Sequence, residues 1–160
     1  MGVVEQSSSN VEESIAMLEE SYSSFSINQK TLSVAPSQYE EVRAAAREDR
    51  LDAYAKVRNG DDEVLHITRE DSLVLPSTTT PAGSSLEADI CAAVTDGTGV
   101  DCSITDVEQA TILGISNAED DDCGTIYRLA ILFEATLDGG TAHDDVVWER
   151  TVRAPQPIEA

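Results

Sequence analysis

Asp89 and Asp96 stand seven residues apart in LEADICAAVTDGTGV (residues 86–100), a stretch whose apolar residues recur at helical spacing. Seven residues of helix is about 10.5 Å, two turns along one side, which is too long for a single ion. A hard divalent cation needs several oxygens within bonding distance of one point. Glu87 and Glu108 are the other carboxylates that could join Asp96 in a rebuilt site. The segment before the helix, STTTPAG, is rich in hydroxyls, and Thr78–Thr80 could offer them to a phosphate. Three threonines in a row recognise a phosphate weakly, and an acidic surface opposes anions at low salt.

Other reactive side chains have simpler readings. Glu119-Asp120-Asp121-Asp122 lacks the alternating ligands and central glycine of a calcium loop and reads as a solvated acidic loop. Cys91, Cys102 and Cys123 are odd in number and form no C-x-x-C pair, so they read as reduced, buried thiols. His66 alternates with Leu65 and Ile67 in a strand and is expected to face outward, and His143 is expected in a loop. No serine sits in a G-x-S-x-G setting and no cysteine has an evident base, so no catalytic residue is assigned. Trp148 reads as core, with base stacking as the alternative.

Charge bounds the partners. The chain has 31 Asp and Glu against 10 Lys and Arg, a net charge of −21, with Lys30 and Lys56 its only lysines. Such a surface repels nucleic acid and anionic lipid, so neither is expected as a partner. The acids are scattered through segments that read as folded, and lysine is scarce. This composition resembles that of haloarchaeal proteins, in whose salty cytoplasm carboxylate repulsion is screened within a few Å. The N-terminus has no secretory pattern and no apolar run approaches the ~20 residues of a membrane span, so a cytoplasmic location is expected.

The elements that must position these residues follow from periodicity. Val11, Ile15, Leu18, Tyr22 and Phe25 make one helical face, with a capping box at Ser9 and Glu12, so a helix is expected from Asn10 to about Ser26 after a mobile stretch over 1–9. A second helix is expected from Ser37 to about Arg50, behind Pro36. The period then becomes two. LDAYAKVRNGDDEVLHIT reads as a hairpin around NGDD and DSLVLP as a short strand; STTTPAG reads as a turn. A helix with the stripe Leu86, Ile90, Ala93, Val94 is expected to stop at Gly97 and Gly99. CSITDVEQATILGIS ends strand-like, TIYRLAILFEATL is the strongest strand candidate, and TAHDDVVWERTVRA supplies another. The sum is an α+β fold, a mixed sheet with helices packed on it, divided into an N-terminal helical segment over 1–50 and a second unit over 51–160.

The stretch from Leu75 to Val100 resembles the Nudix family. Leu75-Pro76 matches the pair that precedes the family's box, Gly83 the glycine before its first glutamate, Leu86 and Glu87 the helix opening, and Val94, Gly99 and Val100 the aliphatic and glycine positions. The resemblance covers roughly residues 50–155 and implies a Nudix-like mixed sheet sandwiched by helices. It also implies a helix whose carboxylates hold Mg or Mn against a diphosphate. Ser84 falls at the first box glutamate, Ala92-Ala93 at the Arg-Glu pair, and Asp96-Gly97 at the Glu-Glu pair, so of four carboxylates only Asp96 remains as a metal ligand. One carboxylate cannot hold Mg²⁺ usefully against water. Ser84 instead offers a helix N-cap, worth ~1 kcal/mol.

The resulting expectation is a catalytically eroded Nudix-like domain that needs no cofactor and binds a nucleotide-like ligand or a protein partner. The competing expectation is an active hydrolase of nucleoside-diphosphate-linked substrates, with Mg or Mn held by nonstandard carboxylates.

Overall fold

The computed structural model describes residues 2–22, 25–46, 50–81 and 85–150. Three helices and eight strands follow one another as α1 (Val3–Ser21), β1 (Ser26–Val34), α2 (Pro36–Ala46), β2 (Arg50–Arg58), β3 (Val64–Arg69), β4 (Ser72–Val74), β5 (Ser77–Pro81), α3 (Leu86–Thr98), β6 (Val100–Asn117), β7 (Ile126–Gly140) and β8 (Val146–Glu149). A short 3-10 turn spans Asp121–Cys123.

All eight strands join one mixed sheet, ordered β1-β6-β7-β2-β3-β4, with β5 beside β2 and β8 beside β3. β1 runs parallel to β6 and β2 parallel to β7, while β6 and β7 form a long antiparallel pair interrupted by three register shifts. Side chains alternate between the faces of a strand. Leu129, Ile131, Phe133 and Ala135 of β7 meet Val11 and Leu18 of α1 and Ile90 and Val94 of α3 in the main core. On the opposite face Ile126, with Leu113 and Ile115 of β6, packs beneath Tyr39 and Val42 of α2. The expected α+β sheet with helices on both faces is therefore present. Among the described residues no helix is long and apolar enough to cross a membrane.

Several elements differ from the sequence reading. The first helix begins at Val3, not after a mobile stretch, because Glu5 accepts the Gly2 N–H at 2.8 Å and Ser7 is buried, donating to Val4 O and accepting from Tyr127 N. Ser9 and Glu12 therefore lie inside the helix and cap nothing. The segment SINQKTLSV, read as neither helix nor strand, is β1: its residues are mostly exposed, so it carries no burial pattern, and it is ordered by its ladder to β6. α2 starts at Pro36 itself, whose missing N–H costs nothing at a first helical position. The expected turn STTTPAG contains strand β5, held by the antiparallel ladder from Arg50↔Pro81 to Tyr54↔Ser77. The β2–β3 hairpin forms around Asn59, whose Oδ1 accepts the Asp61 and Glu63 N–H groups, but it is joined by a single residue pair because β5 holds most of that edge. The tail PQPIEA lies outside the described residues.

Candidate functional site: the outer face of helix α3

The chain reaches this helix through β4, Leu75-Pro76 and β5. Pro76 O accepts the Ala55 N–H at 3.0 Å, which fixes the start of β5 against β2. Gly83 and Ser84 lie outside the described residues. The residue preceding α3 is Ser85, whose side chain makes no capping bond. The apolar stripe forms as its spacing requires. Ile90 and Val94 are fully buried, and Leu86 and Ala93 pack against the same core. The helix stops at Gly99, which takes φ 82°, and Val100 opens β6. Of the two expected stop glycines only Gly99 serves; Gly97 is within the helix.

The face turned away from the core carries the positions where chemistry is expected. Ala92, Asp96 and Gly97 are exposed and Ala93 is half-buried. A Cβ on Gly97 would meet nothing nearer than Ile67 Cδ1 at 3.7 Å, so a side chain has room there. Packing leaves room for a carboxylate at Gly97, while Ala93 packs on the core.

The other candidate carboxylates are engaged separately. Glu87 accepts the Tyr22 hydroxyl at 2.5 Å, tying the start of α3 to the end of α1. Asp89 accepts from the buried Thr80 hydroxyl. Glu108 pairs with Lys56 at 2.7 Å, and Lys56 also approaches Glu134 at 3.5 Å. Burial opposes ionisation of Glu108, yet hydrogen bonds from Lys56 and Glu134 hold its carboxyl below the usual range. Lys56 alternates with Ala55 and Val57, which face the α3 core, so this cluster lies on the far side of the sheet from Asp96. Among the described residues no three His, Cys, Asp or Glu side chains converge on one point. The donor set around Asp96 therefore does not fit Mg or Mn, and no reaction step through such an ion is derived.

The threonine run is also committed. Thr79 donates to Asp52 at 3.0 Å and Thr80 to Asp89, so those two hydroxyl protons point at carboxylates rather than outward. In the acidic loop Asp120 accepts from Cys123 and from the Asp122 N–H. Cys91 and Cys102 are half-buried free thiols with sulfurs 3.8 Å apart, a proximity that their spacing of eleven residues does not reveal. His143 lies in a loop as expected, while Trp148 is half-buried and packs on the core.

His66 corrects the sequence reading. It is fully buried, not outward-facing, because β8 covers β3 on one edge and both faces of β3 are packed. Its Nδ1 lies 3.0 Å from Val64 O, and its Nε2 is buried without a partner among the described residues.

A small open cleft, with about 40 Å³ of enclosed space, lies between α1, the end of α2 and the starts of β2 and β7. Its lining includes Arg50, Arg128, Thr79, Asn10 and Ser14. Sequence reasoning missed it because it joins segments more than one hundred residues apart.

No protein-family model and no curated protein matches the sequence. Solved structures do match in shape. A protein from Sinorhizobium meliloti described as an oxidoreductase aligns over 72% of this chain at 22% identity and a TM-score of 0.46; the chain spans 35% of that protein's length. A UDP-X diphosphatase aligns over 89% of this chain and 82% of its own at 14% identity and a TM-score of 0.49. A Nudix hydrolase from Nitrosomonas europaea aligns over 62% of this chain and 71% of its own at 16% identity and a TM-score of 0.45.

Proposed function

We propose that this chain is a Nudix-like domain that binds a phosphate-bearing, nucleotide-like ligand or a protein partner without hydrolysing it. The observation that carries this reading is the outer face of α3. The strand, helix and left-handed glycine stop follow the box's layout, yet the outer face presents Ala92, Asp96 and Gly97, with Ala93 against the core, where metal chemistry needs several carboxylates. The cleft beside Arg50 and Arg128 is where an anionic ligand would meet positive charge, with Arg128 shared with Asp52. The net charge of −21 supports operation in molar salt, where self-repulsion is screened.

The test is hydrolysis of ADP-ribose, nucleoside triphosphates and dinucleoside polyphosphates, with Mg²⁺ or Mn²⁺, in about 3 M KCl, a salt that screens charge beyond a few Å. Wild type is expected to be silent. A variant carrying Ser84→Glu, Ala92→Arg, Ala93→Glu, Asp96→Glu and Gly97→Glu is expected to gain turnover. Because Ala93 packs on the core, an Asp96→Glu/Gly97→Glu variant serves as the milder control. Turnover by wild type that disappears in Asp96→Ala contradicts the proposal. Raising KCl from about 0.1 M to 3 M is expected to raise the thermal midpoint, because screening weakens repulsion among carboxylates; an unchanged midpoint contradicts the salt reading.

A further inference from the structure

We infer that the outer edge of β1 is a docking surface for a second copy of this chain, the two β1 strands pairing antiparallel to continue the sheet across a two-fold axis.

Three independent features meet on this strand. β1 ends the sheet order, and among the described residues it pairs only with β6, leaving one edge of a nine-residue strand unpaired. Its ladder to β6 runs from Ser26↔Gln109 to Val34↔Asn117 without a register shift, and it contains no proline. Proteins ordinarily blunt such an edge with bulges, prolines, shortness or charge. Here a single lysine, Lys30, is the only such device.

Charge is the second feature. The run from Ser21 to Tyr39 has no Asp or Glu, the longest acid-free stretch in a chain with 31 of them. Two copies of a −21 chain repel one another almost anywhere else. This edge is the place where identical chains meet with the least like charge, which is what a self-complementary two-fold contact requires. The third feature is apolar. Ile27 is 47% exposed and is one of only two large exposed hydrophobic side chains among the described residues; Ser26 through Thr31 are all exposed.

The register follows from the pleat. In an antiparallel pair, directly opposed residues share a face, so a two-fold axis normal to the sheet must pair residues of like parity. Centring the axis on Lys30 would oppose two like charges, which is unfavourable. Centring it on Gln29 sets Lys30 opposite the partner's Asn28 and Ile27 opposite the partner's Thr31, a β-branched pair of the kind that stabilises cross-strand contacts. Screening makes this contact stronger in high salt.

The test is the mass of the full chain by light scattering between about 5 and 500 µM in about 3 M KCl, with hydrogen exchange of residues 26–34 at both concentrations. The expected result is a shift from 17.1 kDa towards twice that mass, with slower exchange in β1 at the higher concentration. In an Ile27→Glu/Lys30→Glu variant, both sites being exposed, the dimer dissociation constant is expected to rise more than tenfold, with the thermal midpoint unchanged only at the lowest concentration, where both proteins are monomers. A monomer at every concentration overturns the inference. So does a dimer that persists in the variant, or one whose β1 exchange does not change, since either places the contact elsewhere.

Discussion

The Arg128 guanidinium stands 2.8 Å from Asp52 Oδ1 and joins β7 to β2 next to the cleft. Asp52 is 6% exposed, and its second oxygen is buried without a partner among the described residues. Burial pushes its carboxyl above the usual range, and the Arg128 charge and the Thr79 hydroxyl offset this only in part. Removing one member of a buried ion pair leaves the other charge stranded, which typically costs about 3–5 kcal/mol. Because the Arg128 side chain is itself 20% exposed, Arg128→Met is expected to cost about 2–3 kcal/mol by denaturant unfolding. Asp52→Asn is expected to cost less, since the amide keeps an acceptor for Thr79 and the charge left unpaired, on Arg128, belongs to the more exposed partner. No loss from Arg128→Met would show that the pair adds nothing to the β2–β7 ladder.

Two glycines at the end of α3 are expected to respond in opposite directions. Gly99 has φ 82°, and a Cβ there would lie 2.2 Å from Thr141 O, a backbone atom that cannot move aside cheaply. Gly99→Ala is expected to destabilise by about 2–4 kcal/mol, a left-handed strain plus a clash. Gly97→Ala, at an exposed helical position with its nearest neighbour at 3.7 Å, is expected to stabilise by up to ~1 kcal/mol. The check is the unfolding midpoint of each variant; a stable Gly99→Ala protein would mean that the helix stop does not need this glycine.

Alkaline conditions should weaken the fold. Burial, and then the Asp52 charge, push Tyr54 up to about 12, and burial together with Glu87 raises Tyr22. Burial and then the Cys91 thiol push Cys102 up to about 12 as well. Each group binds its proton more tightly folded than unfolded. Its contribution is complete below the unfolded value, roughly 8.5 for cysteine and 10 for tyrosine, and is lost as pH climbs towards the folded one. The thermal midpoint is expected to fall between about pH 9 and 12, and Tyr54→Phe is expected to shallow the fall. A midpoint that stays level to pH 12 contradicts these burials.

The sequence revealed those features written in local periodicity and missed those created by distant partners. The stripe Ile90, Ala93, Val94 and the glycine stop predicted α3 because each is a property of neighbouring residues. β7 was evident from its apolar run. β1 was hidden because its residues are exposed on both faces and only its ladder to β6 orders it. The burial of His66 was hidden for a related reason. Alternation locates the face of a strand but does not say whether another element covers it, and here β8 closes the edge of β3. At the site, the scattering of Glu87, Asp89 and Asp96 along α3, with Ala92, Ala93 and Gly97 between or beside them, was legible residue by residue. The separate commitments of Glu87, Asp89 and Glu108 were not, since their partners Tyr22, Thr80 and Lys56 are distant in sequence or belong to other strands.

The central claim is that the outer face of α3 holds no catalytic metal, and the most direct measurement is a calorimetric titration of Mn²⁺ into the full chain at about 3 M KCl, where nonspecific attraction to the acidic surface is screened. The expected result is no saturable site for wild type, no difference in Asp96→Ala, and a saturable one-to-one site only in the variant with carboxylates restored on α3. A tight one-to-one site in wild type that Asp96→Ala abolishes would contradict the claim and restore this helix as a metal centre.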